Sequence, residues 1–216
     1  MNKKIDLRGI NLEQFNFEGV NFTGINLHEA NLKGANLKDT CFWRVNLNWA
    51  NLMETCLTNS DLTKASLIWT NLKRSNLTEA CLIEADLNRA NLKGVNLTGA
   101  NLTNAYLVGI ILEDSDIKDA SFIGAYLGEA SLIKSNITNV DFRGADLEST
   151  NLEGTCITKT NFIGANCIGM NLKNTNLTEV NFTGSDLTGA NFEEANLIDV
   201  CFIGACLKDT NIKGYK

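Results

Sequence analysis

Apolar residues recur in this chain at every position ending in 2 or 7, from Leu7 to Ile212, without one insertion or deletion. Neither the helical spacing of 3.6 nor strict alternation fits a period of five. Of the 42 centres so defined, 41 are Leu, Phe or Ile, and only Cys167 departs. Two residues before the centre, 36 of the 42 positions hold Ala, Ser, Thr or Val; one residue before it, 23 hold Asn and 7 hold Asp. Side chains alternate along an extended segment, so the large centre and its small partner share one side and the Asn faces the other. The two residues after the centre then turn the chain. Of the 17 glycines, 16 occupy the second of these positions and only Gly128 does not, which suits a type II turn with its positive φ. An Asn beside the corner has its amide within reach of the backbone groups there.

Phenylalanine sets the length of one coil. Nine of the ten are centres, and seven of those leave the same remainder on division by 20: Phe22, Phe42, Phe122, Phe142, Phe162, Phe182 and Phe202. Large rings stack best on their own kind, so one coil has four sides of five residues. The predicted fold is all-β: a right-handed quadrilateral parallel β-helix, a solenoid of about ten coils with residues 1–216 in a single domain. Coils about 4.8 Å apart would make a rod about 50 Å long. Ile5, Ile10 and Phe15 are bulky occupants of small-residue slots and are expected to plug the first coil. At the other end, Asn211 to Lys216 carry no capping helix. Tyr106 to Ile117 break the pattern most, with Ile110 in a small slot and Ile111 in an Asn slot, and predict a local bulge or a contact.

Units such as Ala30-Asn31-Leu32-Lys33-Gly34 and Ala100-Asn101-Leu102-Thr103-Asn104 resemble the A(N/D)LXX phrase of the pentapeptide-repeat family. The resemblance runs from residue 5 to residue 216 and implies the same coiled fold. It also implies functional directions. Qnr-type quinolone-resistance members mimic DNA and bind type II topoisomerases such as DNA gyrase; others are immunity proteins of antibiotic producers, and many cyanobacterial members have no assigned role. The loops and the C-terminal element of Qnr-like proteins have no counterpart in the uninterrupted register.

Net charge is −6, which disfavours direct nucleic-acid binding through phosphates. No apolar run approaches the roughly 18 residues of a membrane span, and Met1-Asn2-Lys3-Lys4 has no apolar stretch behind it, so the cytoplasm is the expected compartment. The seven cysteines are then expected as free thiols. Six fill the outward Asn slot (Cys41, Cys56, Cys81, Cys156, Cys201, Cys206); Cys41 and Cys81 share a column two coils apart, roughly 10 Å, too far for a disulfide and not a zinc spacing. His28 falls on an outward turn position, and no Walker loop, GxSxG elbow or HExxH appears. Asn76-Leu77-Thr78 matches a glycosylation sequon only through the grid. Neither catalysis nor a cofactor nor a metal is expected.

Folding the charges onto the four sides is more informative. The side of centres 7, 27, 47 and onward sums to −5; the opposite side, centres 17, 37 and onward, to −3; the side of centres 12 and 32 to zero; and the Phe side to +2. Two opposite acidic sides suit a DNA mimic, although a 50 Å length of duplex carries about 30 charges, some fivefold more than this rod. Modest acidity also serves solubility. On the −5 side, Trp49 and Trp69 share a column, with Arg89 next in line to stack on Trp69 or make a cation–π contact. Tyr106 and Tyr126 share the outward Asn column, and Ile68 and Val108 lie between the two pairs. Trp, Tyr and Arg dominate interface energies, while stacked aromatics also stabilise a sheet by themselves. Trp49, Trp69, Arg89, Tyr106 and Tyr126 are therefore the candidate partner-binding face. The expected function is a non-enzymatic rod that binds a protein partner; the alternative is a DNA mimic directed at gyrase. The expected assembly is a monomer, with weak C-terminal end-to-end pairing at high concentration.

Overall fold

The computed structural model describes residues 5–212; the readings made above on Met1–Lys4 and on residues 213–216 lie outside them. Parallel bridges join residues 20 apart from Asp6↔Asn26 through Tyr106↔Tyr126 to Asp186↔Cys206, so each coil has 20 residues and four sides. The result is a right-handed parallel β-helix.

A unit of five residues has five N–H groups, and four of them find backbone carbonyls. In the unit centred on Leu32, Asn31 N–H donates to Ile10 O of the coil below (2.9 Å), while Leu32 and Gly34 N–H donate upward to Asn51 O and Met53 O (2.8 and 2.9 Å). Ala30 N–H closes the preceding corner on Leu27 O at 3.0 Å. The fifth, on the first corner residue Lys33, donates to Asn31 Oδ1 at 3.2 Å. That is the physical reason for the Asn: it satisfies the one backbone donor the coil cannot. The amides also bond each other between coils, as in Asn31 Nδ2 to Asn11 Oδ1 (2.9 Å) and Asn51 Nδ2 to Asn31 Oδ1 (3.2 Å).

Centres and small partners fill the axis, as alternation requires. Leu27, Ala30, Leu32 and Phe142 are fully buried. Phe122, Phe142, Phe162 and Phe182 stack with centroids 5.1, 5.0 and 4.7 Å apart, which confirms the coil length read from phenylalanine spacing. Most inward hydroxyls are accommodated by donating to a nearby centre carbonyl, as Ser60 Oγ does to Leu57 O at 2.7 Å, although the Thr155 hydroxyl has no such partner.

Every second corner residue from Gly9 to Asp209 takes a positive φ, between 52° and 76°. Most of these are not glycine. The coil imposes the left-handed geometry, and the inter-coil bond from that residue, such as Trp49 N–H to Ile68 O at 3.0 Å, holds it there. On the side of centres 137 to 197 the backbone stays extended one residue longer. Short strands β1 (Ile137–Thr138), β2 (Cys156–Thr158), β3 (Asn176–Thr178) and β4 (Asn196–Ile198) pair in parallel in that order.

Two local expectations are corrected. Ile5 and Phe15 do not plug the first coil: they are 59% and 56% exposed, and Phe15 lies against Phe17 at 5.9 Å. Leu7, Leu12 and Phe17 already occupy that layer, half-buried. Nor is there a bulge at Ile110 and Ile111. Ile111 pairs in register with Asn91 and Ser131, and Ile110 is buried, so the only change is an apolar side chain standing in the Asn ladder.

Candidate interaction face

The side of centres 7 to 207 presents three outward columns: the Asn column and the two corner columns. In the second corner column, Trp49 and Trp69 are 57% and 51% exposed and stack at 5.4 Å with their planes 15° apart. In the Asn column, Tyr106 and Tyr126 stack at 5.1 Å and 5°. Each pair spans two adjacent coils, so its rings share the spacing of the coils.

Placing an aromatic residue in the Asn column removes the acceptor of a backbone donor. At Tyr106 the neighbouring corner column supplies a substitute. Asn88 Oδ1, from the coil below, accepts Val108 N–H at 2.8 Å where Tyr106 cannot. Asn48 Oδ1 likewise accepts Ile68 N–H at 2.9 Å and the Ser66 hydroxyl at 2.7 Å. The signal for this was in the sequence: Asn at 48 and 88 stands 18 residues before Ser66 and Tyr106, two of the outward positions without an amide.

Arg89 does not stack on Trp69. Its guanidinium reaches along the column over Gly109, where a Cβ would stand 2.5 Å from Nη1, to Glu129 at 3.5 Å. A carboxylate two coils away offers charge pairing, and glycine at 109 leaves the path open. Arg89 therefore shares the side with the aromatic pairs without joining either of them.

Charge pairing differs between the sides. On the balanced side, Lys33–Glu13 (3.7 Å), Lys93–Glu113 and Lys93–Asp114 (3.1 Å each) and Lys173–Glu193 (3.0 Å) neutralise one another. The Lys93 ammonium is accordingly held above its ordinary pKa, first by its hydrogen bond to Glu113. On the aromatic side, Asp6–Arg8 (2.9 Å) and Glu129–Arg89 are paired, and His28 sits 3.3 Å from Glu29. Asp86, Asp146 and Asp186 have neutral donors instead, among the described residues. Asp186 is held below the usual carboxylate range by the Thr188 hydroxyl at 2.6 Å and the Thr188 N–H. The field of this side is thus left standing.

Cysteines in the Asn column have a structural partner. Thr23, Thr63 and Thr183 hydroxyls lie 3.4, 3.2 and 3.4 Å from Cys41, Cys81 and Cys201, each 18 residues on. All seven cysteines are free thiols. Cys167, a centre, is buried, and burial pushes its thiol pKa up.

A second exposed apolar line escaped the sequence reading. On the Phe side, Trp43 (41% exposed), Ile163 (37%) and Ile203 (74%) stand in the first corner column, with the Arg44 guanidinium 4.8 Å over the Trp43 ring. Its sequence signal is an apolar residue in every second coil, at 43, 83, 123, 163 and 203.

No helix among the described residues is long and apolar enough to cross a membrane. A search of curated proteins finds no match. Among solved structures, the chain is similar to HetL, a pentapeptide repeat protein involved in heterocyst differentiation regulation from Nostoc sp. strain PCC 7120, at 27% identity over 99% of this chain and 91% of that one, TM-score 0.49. It is similar to a trypsin-treated variant of QnrB1, a plasmid-mediated fluoroquinolone resistance protein, at 17% identity over 94% and 91%, TM-score 0.53. A pentapeptide repeat protein from the Arabidopsis thaliana thylakoid lumen aligns over 47% of this chain and 71% of its own, at 27% identity and TM-score 0.46. The QnrB1 likeness is one of fold. The family model for pentapeptide repeats (8 copies) matches in successive segments from residue 5 to residue 214, and the chain belongs to the pentapeptide-repeat family.

Proposed function

We propose that this chain is a non-enzymatic interaction rod that binds a protein partner through the side carrying Trp49, Trp69, Tyr106 and Tyr126, with Arg89 beside them. The observation that carries this reading is the pair of stacked aromatic ladders, each ring about half exposed, on the side whose carboxylates are least neutralised. Stacking along the coils contributes to stability by itself. It does not account for the relocated amide of Asn88, which keeps the backbone satisfied beside Tyr106. Affinity purification from cell lysate with wild type and with Trp49→Ala/Trp69→Ala tests it. Loss of a specific protein from the double variant is expected; equal recovery of every protein by both would remove this side as the interface.

A second reading is DNA mimicry of a type II topoisomerase. Its support is the pair of opposite acidic sides, −5 and −3, on a rod whose fold matches that of QnrB1. A supercoiling assay with purified gyrase, with and without a quinolone, decides it. The reading requires inhibition or protection at micromolar protein, and neither effect at that concentration would end it.

A further inference from the structure

We propose that the column Asp86–Tyr106–Tyr126–Asp146 is an acceptor for two arginines carried by a basic segment of a protein partner. The inference rests on the proposed interaction side and names the chemistry that side recognises. The four residues occupy successive coils, joined by the bridges Asp86↔Tyr106, Tyr106↔Tyr126 and Tyr126↔Asp146. The tyrosine rings cover each other on their inner faces. The outer face of Tyr106 is therefore turned toward the coil of Asp86, and that of Tyr126 toward the coil of Asp146. Each end of the column combines an open aromatic face with a carboxylate one coil away.

That combination selects a guanidinium. A planar cation can lie against the ring while its N–H groups bond the carboxylate; an ammonium can do one or the other, but has no plane to stack. Both halves of the contact occur elsewhere in this molecule. Arg44 lies 4.8 Å over the Trp43 ring, and Arg143 grips Asp141 through Nε at 2.9 Å and Nη2 at 2.6 Å. In the proposed column, by contrast, no cation of the described residues is in place. Asp86 accepts only Asn88 N–H through Oδ1 (3.1 Å), and Asp146 accepts Glu148 N–H (3.2 Å) and Asn166 Nδ2 (2.9 Å), also through Oδ1. Arg89, the nearest corner cation, is drawn to Glu129. Three coil steps of about 4.8 Å separate the two carboxylates by about 14 Å, which an extended segment at about 3.3 Å per residue spans with arginines four residues apart.

The probes are labelled peptides Arg-Ser-Gly-Ser-Arg, Lys-Ser-Gly-Ser-Lys and Arg-Arg-Ser-Gly-Ser, titrated by fluorescence anisotropy at low salt. The first is expected to bind at least tenfold more tightly than the other two. Asp86→Asn/Asp146→Asn and Tyr106→Leu/Tyr126→Leu should each abolish that preference, whereas Tyr106→Phe/Tyr126→Phe should retain it because the rings remain. Circular dichroism melts establish that each variant is folded. Equal binding of the lysine peptide, or an undiminished preference in the double Asn variant, would overturn the proposal. Should the double Asn variant still recover a partner that Trp49→Ala/Trp69→Ala loses, the arginine column fails and the interaction side stands. Should both variants recover it equally, both readings fail.

Discussion

At the scale of single residues, the fold works by closing the accounts of each five-residue unit. Asn serves the one N–H the coil cannot satisfy, and beside Tyr106 and Ser66, where it is replaced, an Asn of the coil below accepts that N–H instead. Left-handed corners are the other recurrent demand. At Gly144 φ is 62° and nothing lies within 4 Å of where a Cβ would stand, so Gly144→Ala should cost only the left-handed penalty, about 1 kcal/mol. The converse holds at Lys134, with φ 60°, where Lys134→Gly should gain up to about 1 kcal/mol. Urea denaturation midpoints check both signs; a loss of several kcal/mol at Gly144 would show that these corners are constrained by more than φ. The thiols give a second check. Cys167 is buried with its pKa raised, whereas Cys156 and Cys206 are exposed. Iodoacetamide labelling followed by mass spectrometry should modify Cys156 and Cys206 in the native protein, and Cys167 only after unfolding.

At the scale of elements, the stabilising units are columns rather than strands, because most sides are extended for only two residues at a time. Phe142 is fully buried between Phe122 and Phe162, so Phe142→Ala should cost about 3–5 kcal/mol. Phe202 is only half-buried, and Phe202→Ala should cost clearly less; similar losses at the two positions would contradict a stability that depends on burial within the stack. The coil length was legible in the sequence because a Phe changes the volume of a narrow layer and so must recur in the same column. The candidate side was legible in its residue types but not in its contacts. Trp69 and Arg89 share a column, yet which way a long side chain turns depends on what stands two coils away, and Gly109 and Glu129 decided it. Ile5 and Phe15 misled for a related reason: occupancy of a slot says nothing about whether the layer still has room. Period 40 in the first corner column, which places Trp43 and Ile203, is invisible to a reading that looks only for period 20.

At the scale of the whole molecule, charge and exposed apolar area set the expected associations. Two copies meeting side to side on the −5 surface would oppose like charge. In the coil of Leu197, Phe202 and Leu207 the centres are only partly buried. Burying about 300–400 Å² there is worth several kcal/mol at about 25 cal/mol per Å², against association costs of about 4–15 kcal/mol. We therefore propose a monomer in dilute solution, with end-to-end pairing only at high concentration. Light scattering over a concentration series should show this, and a stable dimer at micromolar protein unaffected by Phe202→Asp would place the interface elsewhere. The central claim is that one side of the four does the binding. Its most direct test is a side-by-side scan by quantitative affinity purification, with outward-facing residues altered on one side at a time in proteins verified as folded: Trp49→Ala/Trp69→Ala/Tyr106→Ala/Tyr126→Ala, Trp43→Ala/Ile163→Ala on the Phe side, Thr158→Ala/Thr178→Ala on the strand side, and Lys33→Ala/Lys93→Ala on the balanced side. Loss of a specific partner from the aromatic variant alone is the predicted result; retention by that variant, with loss from any of the other three, would contradict the account.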